Sequence, residues 1–129
     1  VPGMTPAGVE SSALVEHVDF YPTLLELCDV KAVGPLQGKS LTPLLRNPQL
    51  AGKEYAYTVV SRGENLGRSV HSERWRYAEW FDADNAELYD LENDPKEYAN
   101  LAGNPEYASQ RKQMQRLLAK ATNKARAER

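Results

Sequence analysis

Apolar and polar residues alternate most regularly over Trp75–Trp80, where Trp75, Tyr77 and Glu79 interleave with Arg76, Ala78 and Trp80. A period of two predicts a β-strand with two distinct faces. Asp82-Ala83-Asp84-Asn85 breaks the pattern with short side chains that hydrogen-bond their own backbone, which predicts a turn. Glu87–Leu91 resumes a short strand, and Asn93-Asp94-Pro95 stops it, because proline has no N–H to give to a ladder. The stretch Arg74–Lys96 therefore reads as a β-hairpin. A lone hairpin is marginal in water and needs more strands or a helix against one face.

Both are present. In Glu54–Ser61, Tyr55, Tyr57 and Val59 alternate with Ala56, Thr58 and Val60, a clear strand. Arg62-Gly63-Glu64-Asn65 and Gly67 predict a loop, and Arg68–Ser72 a further strand, giving about four antiparallel strands. Asn104-Pro105 opens a long helix, with Asn as N-cap and Pro in the first turn. Tyr107, Met114, Leu117, Leu118, Ala121 and Ala125 recur at spacings of three and four, a stripe that can cover one sheet face. Arg111, Lys112, Arg116, Lys120 and Lys124 line the opposite face. The expected fold class is α+β, a small antiparallel sheet under a long C-terminal helix.

The N-terminal third reads differently. Val1–Glu10 predicts a loop. Ser12–Val18 alternates like a short strand, and Asp19 suits the N-cap of a helix with Pro22 in its first turn. Leu24, Leu25, Leu27 and Cys28 predict a buried helix face. Strand into helix is half of a βαβ unit, whose partner strands are not in this sequence, so its apolar surface has little here to pack on. A loop follows over Gly34–Leu41, and Thr42–Leu45 predicts one helical turn closed by Asn47-Pro48.

Composition narrows the function classes. The 129 residues are 41% hydrophobic and 26% charged, with a formal net charge of -2. That balance argues against a nucleic-acid footprint. No apolar run is long enough to span a membrane. One cysteine permits no internal disulfide and leaves the compartment open. VPGMTPAGVE has neither the basic region nor the apolar core of a signal peptide, nor a methionine at position 1. The expectation is that a longer polypeptide precedes it.

No autonomous active site is legible. His17 and His71 lie in separate elements without a second ligand at metal spacing. Cys28 has no basic neighbour and predicts a buried, inert thiol. Asp82–Asn93 is rich in oxygens but fails the EF-hand pattern: Ala86 takes the fifth position, Glu87 stands where glycine belongs, and Asn93 replaces the bidentate Glu. Gly63 and Gly67 form no phosphate-binding pattern, and Gly38-Lys39-Ser40 lacks the earlier glycine of a phosphate loop, with Val33 in its place. The basic run Arg111–Arg129 has no aromatics interleaved on its exposed face, which favours a solvated helix face over a nucleic-acid strip.

The order of segments nevertheless resembles one family. Leu14–Leu27, LVEHVDFYPTLLEL, resembles the V-x-x-V-D-x-x-P-T-L-L-x-L segment of the sulfatases, and Leu36–Leu45, LQGKSLTPLL, the L-Q-G-x-S-L-x-P-L-L that follows it. Leu66–Val70, Arg74–Trp80, and Glu87–Glu97 with Asn100-Leu101-Ala102 are similar to the C-terminal subdomain of the iduronate-2-sulfatase-like branch. The resemblance implies a sulfuric-ester hydrolase in which residues 1–46 end the large α/β domain and residues 47–129 form the C-terminal subdomain. It implies a formylglycine nucleophile, made within C/S-x-P-S-R, beside a calcium ion. This chain has no such motif, and Cys28 is followed by Asp29-Val30-Lys31, so the resemblance assigns no catalytic and no metal-binding residue here. Nucleophile, calcium and catalytic Lys and His are expected in a preceding N-terminal domain, the implied partner of this chain, with a sulfate ester as substrate. The implied compartment is periplasmic, extracellular or lysosomal.

One site residue follows from the resemblance. Arg62, after the strand Tyr55–Ser61, stands where this branch brings an arginine towards the substrate pocket. A guanidinium there can grip a uronate carboxylate or a second sulfate. A plain surface arginine is the competing reading. The alternative function is a non-enzymatic module binding an acidic partner or polyanion through Arg116 and Lys120 of the basic helix.

Overall fold

The computed structural model describes residues 1, 3–5 and 7–127. Pro2 and Pro6 of the expected N-terminal loop, and Glu128 and Arg129 of the basic run, lie outside the described residues. The chain forms two compact units, residues 1–54 and 55–129.

The second unit carries the sheet. Strands β1 (Ala56–Arg62), β2 (Asn65–His71), β3 (Trp75–Trp80) and β4 (Asp82–Asp90) pair antiparallel in chain order. A Pro105–Tyr107 turn of 3-10 helix leads into α3 (Ala108–Ala127), and the Asn104 side chain accepts from the Glu106 N–H. Val70, Tyr77 and Leu88 from the sheet pack with Met114, Leu118 and Ala121 of α3, all essentially buried. Burying each of the large apolar side chains contributes roughly 1.5–3 kcal/mol. This is the α+β arrangement that the periodicity predicts.

Two local expectations change. The β1–β2 loop contracts to Gly63-Glu64, since Arg62 and Asn65 already pair and Gly67 lies inside β2. Gly63 takes φ 63°, the left-handed backbone that a two-residue hairpin asks of its glycine. The turn expected at Asp82–Asn85 moves to Phe81: Trp80 pairs with Asp82, Glu79 with Ala86, and residues 83–85 bulge out of β4. The short polar side chains still shape it, because Asp82 Oδ1 accepts from the Asp84 N–H, the Asn85 N–H and Asn85 Nδ2.

The first unit contains α1 (Phe20–Leu27) and α2 (Thr42–Arg46). Ser12–Val18 is not a strand. It runs without a ladder into a 3-10 turn at His17–Asp19, because a strand needs a repeating set of backbone bonds to a neighbour, and the segment beside it gives a single one, from the Lys53 N–H to Leu14 O. Asp19 stands at the N-cap of α1, as expected, but its side chain makes no capping bond there. Its backbone is already helical, and its carboxylate reaches back to the Glu16 N–H as the third position of a capping box. The expected buried face of α1 is largely open: Leu24 is 59% exposed and Cys28 is exposed. Cys28 is thus a surface thiol in this structure, left exposed at the C-terminal end of α1.

Candidate functional site

Arg62 ends β1 on the sheet face opposite α3. Val60, Gly67 and Trp80 lie in register across β1, β2 and β3 on that face, and Arg62 is two residues beyond Val60. Gly67 is buried, and a Cβ there would come within 2.7 Å of the Trp80 ring, so only glycine lets the indole lie flat across β2. Trp80 Nε1 donates to Glu87 Oε1 at 3.2 Å, which fixes the indole from the β4 side. The Arg62 guanidinium stacks above this ring at 5.5 Å from its centroid. Arg62 is exposed, and among the described residues no carboxylate pairs with it. The result is an exposed cation on an aromatic platform, whose planar fork is able to take a sulfate or carboxylate by two parallel hydrogen bonds.

Further along the same face, Arg76 pairs with Glu97 and lies over the Tyr89 ring at 5.1 Å. His71 sits opposite Arg76. Burial holds its pKa below the usual value, with Glu97 opposing and Arg76 adding to the shift. On the α3 face, Tyr77 donates to Glu79, and burial, with Glu79 beside it, pushes the phenol up to about 12. Arg74 forks onto Asp90 and, with Asn93, outweighs burial to hold that carboxyl down to about 2.

A polar clasp organises the first unit. The Asp19 carboxylate is fully buried and accepts from the Glu16 N–H, the Lys39 N–H at 2.8 Å and Lys53 Nζ. Burial pushes the Asp19 carboxyl up, but these donors outweigh it and leave its pKa lowered. Lys53 is likewise opposed by burial and raised by Asp19 and Glu16. Thr23 Oγ1 donates to Asp19 O at 2.6 Å and accepts the Leu41 N–H at 2.8 Å. Gly38 of the discarded phosphate-loop pattern has a structural role, since a Cβ there would overlap the Val18 carbonyl.

The other candidates disperse. His17 stacks near Phe20 and His71 lies in the second unit. Arg111 is no solvated cation: it donates to Ala102 O and Ala83 O, tying α3 to the β4 bulge. Lys120 lies over the Tyr55 ring. Among the described residues no three His, Cys, Asp or Glu side chains group to hold a metal, and the buried Asp19 is already met by Lys53. The described residues therefore do not fit a calcium site. Sequence reasoning missed Trp80 and Glu87 as the support of Arg62, and Lys53 as the partner of Asp19. The seven-residue and 34-residue separations of these pairs follow from register and loop path, which leave no periodic signal.

A profile of the family described as N-sulphoglucosamine sulphohydrolase, C-terminal, matches residues 1–124. The chain belongs to this sulfatase family. This sulfatase chain is 31% identical over 126 residues to an N-acetylglucosamine-6-O-sulfatase of Bacteroides thetaiotaomicron, covering 91% of the chain and 23% of the relative. It is 31% identical over 114 residues to arylsulfatase K of Xenopus laevis, covering 79% and 21%. It thus spans less than a quarter of the length of these relatives. Among solved structures it superposes with TM-score 0.86 and 27% identity on a protein in complex with its substrate D-glucosamine-2-N,6-O-disulfate, covering 98% of this chain and 27% of the other. A phosphonate monoester hydrolase from Silicibacter pomeroyi shares the fold at TM-score 0.77 and 21% identity.

Proposed function

We propose that this chain is the C-terminal part of a sulfuric-ester hydrolase acting on a sulfated sugar, in which Arg62 grips an anionic group at the rim of the substrate pocket. The observation that carries the reading is the likeness over 98% of the chain to a protein solved with D-glucosamine-2-N,6-O-disulfate. The N-acetylglucosamine-6-O-sulfatase relative points to the same substrate class. On this reading, formylglycine and calcium belong to the part of the enzyme outside these residues, and the sulfur chemistry happens there. Residues 1–46 finish the large α/β domain, and residues 47–129 form the smaller one. The exposed Val15, Val18, Phe20, Tyr21 and Leu24 are then the surface that the large domain covers.

Arg62 contributes binding and orientation. Its planar fork matches a tetrahedral sulfate or a carboxylate, and stacking on Trp80 limits its freedom before substrate arrives. The test is sulfate release from glucosamine-6-sulfate by the full-length protein, produced with the maturation that makes formylglycine. Arg62→Ala is expected to raise KM roughly tenfold or more with kcat little changed, the size of a lost charged hydrogen bond. Residues 1–129 alone are expected to give no turnover. Turnover by them, or no release from any sulfated sugar by the full-length protein, contradicts the proposal, and an unchanged KM removes the role of Arg62.

A further inference from the structure

The end of the sheet where β1 turns into β2 and β3 into β4 carries a residue that local folding does not ask for. Phe81 sits alone between the paired Trp80 and Asp82 at φ 70°. Glycine adopts this left-handed backbone freely, whereas a bulky L-residue is strained in it. Burial does not offset the strain, since Phe81 is 56% exposed. Its N–H donates to Leu66 O at 3.1 Å, which pins the turn to β2. Leu66 pairs with Ser61, and Arg62 follows, so Phe81 and Arg62 stand roughly two strand spacings apart, about 10 Å. Trp80, under the guanidinium, lies between them. A strained, exposed aromatic beside a stacked cation serves a ligand better than it serves the fold.

We infer that Phe81 and Arg62 form one subsite for an anionic pyranoside. The Phe81 ring stacks on the apolar C–H face of the sugar, and Arg62 takes its sulfate or carboxylate. The inference rests on Arg62 as the rim residue proposed above, and adds Phe81 and a direction of binding. Charge sets that direction. Asp82 and Asp84 follow Phe81 and repel an anion on that side, so the anionic group is taken by the guanidinium and the uncharged face of the sugar meets Phe81. An uncharged sugar stacks but gains nothing from Arg62.

Isothermal titration calorimetry on the full-length protein, with glucosamine-6-sulfate and with glucosamine, tests this. Phe81→Gly relieves the backbone strain and removes the ring, so the thermal midpoint stays at or above that of the parent while affinity for both sugars falls about tenfold. Phe81→Trp keeps an aromatic face and keeps both affinities. Arg62→Ala weakens glucosamine-6-sulfate and leaves glucosamine unchanged. If Phe81→Gly binds both sugars as tightly as the parent while Arg62→Ala is weakened, the Phe81 assignment is overturned and the role of Arg62 stands. If Arg62→Ala binds the sulfated sugar unchanged, the reading of Arg62 falls and the subsite with it. Should Phe81→Gly lower the thermal midpoint, Phe81→Leu, which keeps volume and loses the aromatic face, decides by the same two affinities.

Discussion

Among the described residues of 1–54 the buried side chains are Asp19, Thr23 and Thr42, all polar, while Phe20, Tyr21 and Leu24 stand more than half exposed. In residues 55–127 the buried set is led by Val70, Tyr77, Leu88, Met114 and Leu118, and the polar groups lie around them. One unit is organised by directional hydrogen bonds donated to the Asp19 carboxylate, the other by apolar surface withdrawn from water. Apolar burial is non-directional and roughly proportional to area, so the sheet and α3 bury one another's facing apolar side chains from within this unit. A polar clasp fixes geometry but yields modest net stability, because its partners exchange for water when it opens. The first unit has its shape from the clasp and an apolar surface still open.

The largest expected effect breaks the apolar side. Leu118→Ala leaves a cavity under the sheet and is expected to cost about 2–5 kcal/mol of unfolding free energy in the second unit. Trp75 and Trp80, the chain's two tryptophans, both lie in that unit, so their fluorescence in a denaturant titration reads it selectively. Asp19→Ala attacks the polar side. It strips the Glu16 and Lys39 N–H groups and Lys53 of their acceptor, and is expected to cost about 2 kcal/mol within residues 1–54 while the tryptophan transition stays in place. Limited proteolysis of that segment checks it, and a shifted tryptophan transition would show that the two units share one stability.

Acid separates the units more gently. The Asp19 pKa is lowered on folding, so its contribution is present above the ordinary 3.8 and is lost as pH falls through the folded value. The His71 pKa is also lowered, so protonation favours the unfolded chain, and the second unit weakens as pH falls from about 6.5. A pH series should therefore show the tryptophan signal losing stability first and the clasp failing only below 3.8. Lys53 gives the opposite sign: raised on folding, it holds the clasp below 10.5 and releases it as pH rises through its folded value. The smallest effect is Leu24→Ala, expected to change stability of this chain by less than about 0.5 kcal/mol, since the side chain is already in water. A loss several times larger would mean that α1 has cover among these residues.

The same contrast explains what the sequence made legible. Strand periodicity in Trp75–Trp80 and the Met114, Leu118, Ala121 stripe report burial directly, because the burying partners are in the chain. The identical logic applied to Ser12–Val18 and to Leu24 and Cys28 predicts a strand and a buried face that the structure does not contain, because the pattern records a partner these residues lack. At the candidate site, the place of Arg62 at the end of β1 was legible from family resemblance. Its platform was not, since Trp80 reaches it only across Gly67 by strand register. Phe81 escaped for a related reason: Asp82, Asp84 and Asn85 beside it carry the turn signal, while the backbone reverses at the aromatic.

Hydrogen–deuterium exchange on the 129-residue chain tests the contrast most directly. Amides of β2, β3, β4 and the middle of α3 should exchange only through global opening of the second unit, and those of α1 and α2 should exchange orders of magnitude faster. Protection in α1 and α2 equal to that of the sheet would contradict the account, because the polar clasp would then be as stabilising as the apolar core.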